Sequence, residues 1–289
     1  MHLPRNIAVL VSLSVIGPLA VGQDSNVKLS GAASMVSVGQ KVSNFYQTEN
    51  PGIRVDVSVS ASMQGLPEGN GSIWQHIGPL SAPERNSLHG RFGSAPAQVP
   101  VGVEAVLVIL NKSNPITDLS VEQLRAIYTG KIANWKAIGG PDRRIHLYGT
   151  ESAVGGDMFF QDSILQGDNF DDSMQAYSNP KETASAVATD VDGIGLTSMS
   201  GESSVKYPRL RRTPSSPGID GTSENVRNLS YPLSSHLYWS FPKEYSPAVE
   251  HLVEFAFSPR GQMAIEASGC YPLNPNERIR GMVALSQSK

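Results

Sequence analysis

The sequence predicts an α/β protein built as two lobes, and two observations carry that prediction. Strand-like and helix-like segments alternate along most of the chain, the pattern expected of sheets covered by helices. In addition, two small-residue turns, Gly31-Ala32-Ala33-Ser34 and Gly149-Thr150-Glu151-Ser152-Ala153-Val154-Gly155-Gly156, each follow a strand-like run and lead into a helix. Strand, tight turn and helix start together aim unpaired backbone N–H groups and the positive end of a helix dipole at one point. Two such points in separate halves of 289 residues place a ligand in a cleft between two lobes.

The chain opens with His2 and Arg5 ahead of an apolar run from Ile7 to about Val21, with small residues at Ala20 and Gly22. Residues 1–23 therefore read as a cleaved export signal. The segment is short for a membrane anchor and carries Gly17-Pro18. A strand follows at Val27-Lys28-Leu29. Val38, Val42, Phe45 and Tyr46 then recur at helical spacing until Asn50-Pro51-Gly52 stops the helix. Ile53 to Val59 alternates with period two, as in a strand exposed on one face. Val103 to Leu110 is a nearly continuous apolar run suited to one buried strand, closed by Asn114-Pro115. Ser120-Val121-Glu122-Gln123 opens a helix that Gly130 ends. Further helices are expected at 156–165, 181–189, 247–257 and 259–267, the last two closing the chain.

A loop-rich stretch from Pro208 to Asn225 interrupts the alternation, which then restarts. That layout fits a middle lobe, 107–231, inserted into an outer lobe of 24–106 and 232–289. The run near Val103 and the segment Tyr231–Phe241 are the expected crossings.

Composition narrows the function. A net charge of −3 without a basic run leaves no electrostatic footprint for nucleic acid or an anionic membrane. Cys270 is the sole cysteine, so no intramolecular disulfide forms and no lipid-attachment cysteine follows the signal. It reads as a small packed hydrophobe. The six histidines lack metal-ligand spacing, and there is no nucleophile elbow, zinc-protease motif, phosphate loop or dinucleotide fingerprint. No catalytic residue, metal or cofactor is expected, and the chain reads as a periplasmic or secreted monomer rather than an enzyme.

Several segments carry a family resemblance. They are Gly31–Met35, Asn50–Val55, Ile77-Gly78-Pro79-Leu80-Ser81, Val108–Asn111, Tyr148–Phe160, Asp192–Leu196, Tyr231-Pro232-Leu233 and Gly261–Leu273. The most specific stretch is Ser120–Trp135, with Leu124, Tyr128-Thr129-Gly130-Lys131 and Asn134-Trp135. In these the chain resembles the phosphate-binding proteins of phosphate ABC transporters, the PstS-like branch of the two-lobed periplasmic solute-binding proteins. The resemblance implies a type II periplasmic-binding-protein fold, two α/β lobes joined by two hinge strands that close on a ligand. It also implies a small oxyanion, phosphate, as that ligand and an ABC permease as partner.

Carried over residue by residue, the resemblance assigns ligand contacts to Ser34 and Met35 in the first loop and to Ser60 or Ser62 in the second. In the third loop it assigns them to Thr150, Ser152, Gly155 and Gly156. His76 stands in the segment matching the family's carboxylate contact and is a further candidate, able when protonated to supply positive charge below about pH 6.5. Ser34 reads equally as a helix N-cap, and Gly155 and Gly156 as turn formers. Here Thr150 occupies the position of the family's arginine, Val154 that of its serine and Gly156 that of its threonine, while Glu151 remains compatible. Losing one partner of a buried charge pair costs about 2–5 kcal/mol. The alternative is therefore an interaction or sensor protein that kept the fold without the phosphate site. A secreted hydrolase using His76 or Glu151 is a third, weaker alternative. The cations Lys206, Arg209, Arg211 and Arg212 read either as anion contacts or as a solvated loop.

Overall fold

A computed structural model of the chain describes residues 26–31, 33–60, 68–150, 160–198 and 202–287. In chain order the strands are β1 (Asn26–Gly31), β2 (Arg54–Val59), β3 (Ser72–Ile77), β4 (Ala97–Ala105), β5 (Leu107–Asn111) and β6 (Asp118–Ser120). They continue with β7 (His146–Thr150), β8 (Gln175–Tyr177), β9 (Gly193–Thr197), β10 (Val205–Lys206), β11 (Arg209–Arg211) and β12 (Ser234–Phe241). The helices are α1 (Ala33–Glu49), α2 (Ala82–Phe92), α3 (Val121–Tyr128), α4 (Pro180–Thr189), α5 (Ser223–Arg227), α6 (Pro247–Phe257), α7 (Pro259–Ala267) and α8 (Pro275–Gln287).

The strands form two five-stranded sheets, β2-β1-β3-β12-β4 and β10-β5-β9-β7-β8, with a parallel β6–β11 pair beside them. Each large sheet has a parallel core. In the first, β1 runs parallel to β2 and β3 while β12 is antiparallel to both β3 and β4. In the second, β7 runs parallel to β8 and β9, and β5 is antiparallel to β9. Parallel strands need helical crossovers that cover the faces, and the inner strands β3 and β9 are accordingly buried along nearly their whole length, whereas the outer strands β2 and β8 are partly exposed. On the first sheet α1 lays Met35, Val38, Val42 and Tyr46 inward, each 1% exposed or less, beside Leu29 and Ile73.

The helix boundaries follow local chemistry. Ser120 accepts a bond from the Gln123 backbone N–H at 3.1 Å, and the Gln123 side chain accepts from the Ser120 N–H at 2.8 Å, a capping box. Helices α6 and α7 meet at Ser258, whose hydroxyl accepts from the Gly261 N–H at 3.0 Å. Each starts on a proline, where the missing N–H is harmless.

Three expectations are corrected. The run 103–110 is not one strand: β4 ends at Ala105, β5 starts at Leu107, and Val106 carries the chain from one sheet to the other. Both halves are apolar because both are interior, so composition alone could not show the break. Three helices rather than two close the chain, since α8 follows α7. Of the helix expected at 156–165, the described part ends in a π-helical turn at Gln161–Leu165. No helix among the described residues is long and apolar enough to cross a membrane.

Candidate functional site: two carboxyl edges joined at a crossing

Register locates the site. In the first sheet Gly31 pairs with Val59 on one side and Gln75 on the other, so the carboxyl ends of β1, β2 and β3 lie together. At that same edge β12 begins, Leu237 opposite Ile77, and β4 ends, Ala105 opposite Ser234. Leu107 then enters the second sheet opposite Thr197, at the carboxyl end of β9 and beside that of β7. The crossing at Val106 therefore joins the carboxyl edges of both parallel cores. Ligands of open parallel sheets lie outside the carboxyl ends of the strands.

Between β1 and the 17-residue helix α1 a single residue, Ala32, intervenes, and the Gly31 carbonyl accepts from the Ser60 N–H at 2.8 Å. This ties the second-strand exit to the first and brings Ser60 beside the start of α1. A Cβ on Gly31 would lie 2.2 Å from the Gln75 carbonyl oxygen and 2.4 Å from Gln75 Cγ, so only glycine fits there. The Gln75 side chain lies under this turn against Gly39, is fully buried, and neither amide atom has a hydrogen-bond partner among the described residues. The sequence offered no sign of it: the residue follows Trp74 in an ordinary strand.

The expected contacts fall into groups. Ser34 lies in the first turn of α1 and Thr150 at the carboxyl end of β7, with their side chains outside the described residues. Ser62, Ser152, Gly155 and Gly156 also lie outside the described residues. Met35 keeps its side chain fully buried in the core, which leaves its backbone N–H as the group to meet a ligand.

His76 is corrected. It lies one residue beyond Gln75 and so on the opposite face of the sheet. Its Nδ1 is 2.9 Å from the Gly78 carbonyl, which fixes the proton there, and its Nε2 accepts from Ser240 Oγ at 2.9 Å. Gln98 Nε2 lies 3.1 Å from the same nitrogen, and the Tyr238 ring stacks on the imidazole at 5.5 Å. Burial pushes its pKa from 6.5 down to about 4, so it stays neutral where positive charge was expected. Trp74, on that same face, is buried and packed with Leu80 and Leu88.

The basic cluster near 206–212 is committed within the protein. Lys206 bonds the Asn114 carbonyl, and Arg209 pairs with Asp118 at 2.7 Å. Arg211 and Arg212 bond the Pro214 and Leu229 carbonyls at 3.0 and 2.8 Å. A cavity of about 510 Å³ lies elsewhere, at the amino ends of β7 and β8, lined among others by Arg144, His146 and Asp190. There Asp190 accepts from His146 Nδ1 at 2.6 Å and from the Tyr148 hydroxyl at 2.8 Å.

Two sheets of order β2-β1-β3-β12-β4 and β10-β5-β9-β7-β8, covered by helices and joined at their carboxyl edges, define the type II periplasmic-binding-protein architecture. The chain belongs to the PBP superfamily domain family, whose model matches residues 19–260. It is similar to the phosphate-binding protein PstS of Pseudomonas aeruginosa, 22% identical over 274 residues that cover 88% of this chain and 85% of that one. Among solved structures, a possible phosphate-binding protein from Planctomyces limnophilus superposes with a TM-score of 0.80 at 17% identity, covering 91% of this chain and 98% of the other. A putative phosphate ABC transporter substrate-binding protein from Clostridium perfringens, with bound phosphate, gives a TM-score of 0.60 at 23% identity, covering 86% and 100%.

Proposed function

We propose that this chain is an extracytoplasmic solute-binding protein that holds phosphate, or a closely similar oxyanion, between its two sheets and delivers it to an ABC permease. The observation that carries the reading is the junction of the two sheets at their carboxyl edges, with the start of α1 at one of them. A helix start presents free N–H groups and a partial positive charge, which suits an anion without needing a charged side chain. The names of the relatives in Pseudomonas and Clostridium support phosphate as the ligand. On this reading the chain is a monomer exported by cleavage of 1–23. Its lobes are 24–106 with 232–289, and 107–231. Ser34, Ser60, Ser62, Thr150, Ser152, Gly155 and Gly156 line the ligand, and no catalytic role is assigned.

A second reading, a fold-retaining interaction or sensor protein, is favoured by Thr150, Val154 and Gly156, which stand where the family carries arginine, serine and threonine. Calorimetric titration with phosphate and sulfate from pH 5 to 8 separates the two readings. Saturable phosphate binding is expected; no heat from either anion across that range supports the second reading and defeats the first.

A further inference from the structure

The cavity of about 510 Å³ lies at the end of the second sheet opposite the proposed anion site. It comes from a step in the sheet edge. β7 pairs with β9 from His146 onward but with β8 only from Tyr148, so β8 does not reach beside His146 and Leu147. Thr189 and Asp190, at the end of α4, close the other side. The volume is in the range of small-molecule sites, and His146 stands about 13 Å along β7 from Thr150.

Exposure alternates from Arg144 to Leu147, which puts Arg144 and His146 on one face of the extended chain and the buried Ile145 and Leu147 on the other. Residues two apart on one face are about 7 Å apart, room for one small molecule between their side chains. His146 is held in one orientation. Its Nδ1 lies 2.6 Å from Asp190 Oδ2, which also accepts from the Tyr148 hydroxyl at 2.8 Å. Asp190 Oδ1 accepts from the Asp192 N–H at 3.0 Å. The carboxylate thus keeps a proton on Nδ1 and leaves Nε2 of the neutral ring as an acceptor at the cavity. The neighbouring acid is engaged too, since Asp171 accepts from both the backbone N–H and the hydroxyl of Ser173. Internal donors therefore occupy both acids. Among the described residues the Arg144 guanidinium has no ion pair and acts on Asp171 only through space, whereas Arg143 reaches Asp192 at 2.9 Å.

We propose that this cavity binds a small α-hydroxycarboxylate: the forked donors of Arg144 hold the carboxylate, and His146 Nε2 accepts from the hydroxyl. An amino acid fits less well, because its ammonium needs a carboxylate that internal bonds have not already claimed. The site is separate from the carboxyl edges, and it does not depend on the phosphate reading.

The test is calorimetric titration of the full exported chain at pH 8 with malate, with succinate (the same skeleton without the hydroxyl) and with aspartate (ammonium in its place). Circular dichroism is the folding check. Malate is expected to bind about fivefold more tightly than succinate, the worth of one neutral hydrogen bond, and more tightly than aspartate. Arg144→Gln is expected to weaken malate binding about tenfold. His146→Phe keeps a ring without the acceptor, and Asp190→Asn no longer fixes the Nδ1 proton. Each is expected to bring malate down to the affinity of succinate. Asp190 is a positioning residue, and a general loosening of the fold would weaken both ligands alike and leave that ratio unchanged. Should Asp190→Asn misfold, the Arg144 and His146 variants still decide. Saturating phosphate should not displace malate. Malate that binds no better than succinate or aspartate, that is indifferent to Arg144→Gln, or that phosphate displaces overturns the site. A chain that takes up malate in this pattern but no phosphate overturns the phosphate reading alone.

Discussion

His76 shows how one residue's surroundings reverse a chemical expectation. Free histidine titrates near physiological pH, so a histidine near a cleft reads as a switchable cation. Both ring nitrogens here are bonded inside the sheet, and burial lowers the pKa to about 4. Between pH 6.5 and 4 the unfolded chain binds a proton that the folded chain refuses, so stability falls as pH falls through that window. The shift corresponds to about 3 kcal/mol. Urea unfolding of the wild type at pH 7 and pH 4 should show this loss, and His76→Gln should remove that share of the slope whatever its own stability. Equal slopes in the two proteins would show that the imidazole titrates normally. Phosphate affinity should not rise below pH 6.5 on account of this residue, because the ring carries no charge there to offer.

At the scale of an element, the β1–α1 unit depends on a missing side chain. The Gln75 carbonyl lies where a Cβ on Gly31 would be, so any side chain at 31 pushes β3 away from β1. Gly31→Ala is expected to destabilise the protein by about 3 kcal/mol. Gly90→Ala, in α2 with open space around it, should be neutral or stabilise by up to about 1 kcal/mol. Denaturant midpoints of the two variants measure the contrast; similar values would mean the strand spacing relaxes freely. Short-range signals read well at this scale. Asn50-Pro51-Gly52 foretold a helix stop, and α1 ends at Glu49. Ser120 and Gln123 foretold a cap, and both reciprocal bonds are present. The failures share one cause. The 103–110 run hides a crossing, and α8 escaped notice because its outer face carries exposed Ile279, Met282 and Val283, which blurs the amphipathic pattern.

For the whole molecule, a ligand gripped from both sheets must stabilise both. Binding to the native state alone contributes about 2.7 kcal/mol at a ligand concentration a hundred times Kd. For lobes of this size that corresponds to a rise in Tm of roughly 5–10 °C. Calorimetric scans with saturating phosphate should show that rise across the entire unfolding transition. Two transitions of which only one moves would mean that a single lobe holds the anion.

Taken alone, the order of residues determined the α/β class, the start of α1, the caps and the succession of turns, because each depends on contacts between near neighbours in the chain. The Gln75 amide without a partner among the described residues, the neutral His76 and the committed 206–212 cations were decided by folding, which sets residues far apart in sequence against one another. Charge and hydrogen-bond supply are properties of such surroundings, so a residue's identity could nominate a site but only its burial and partners could assign it.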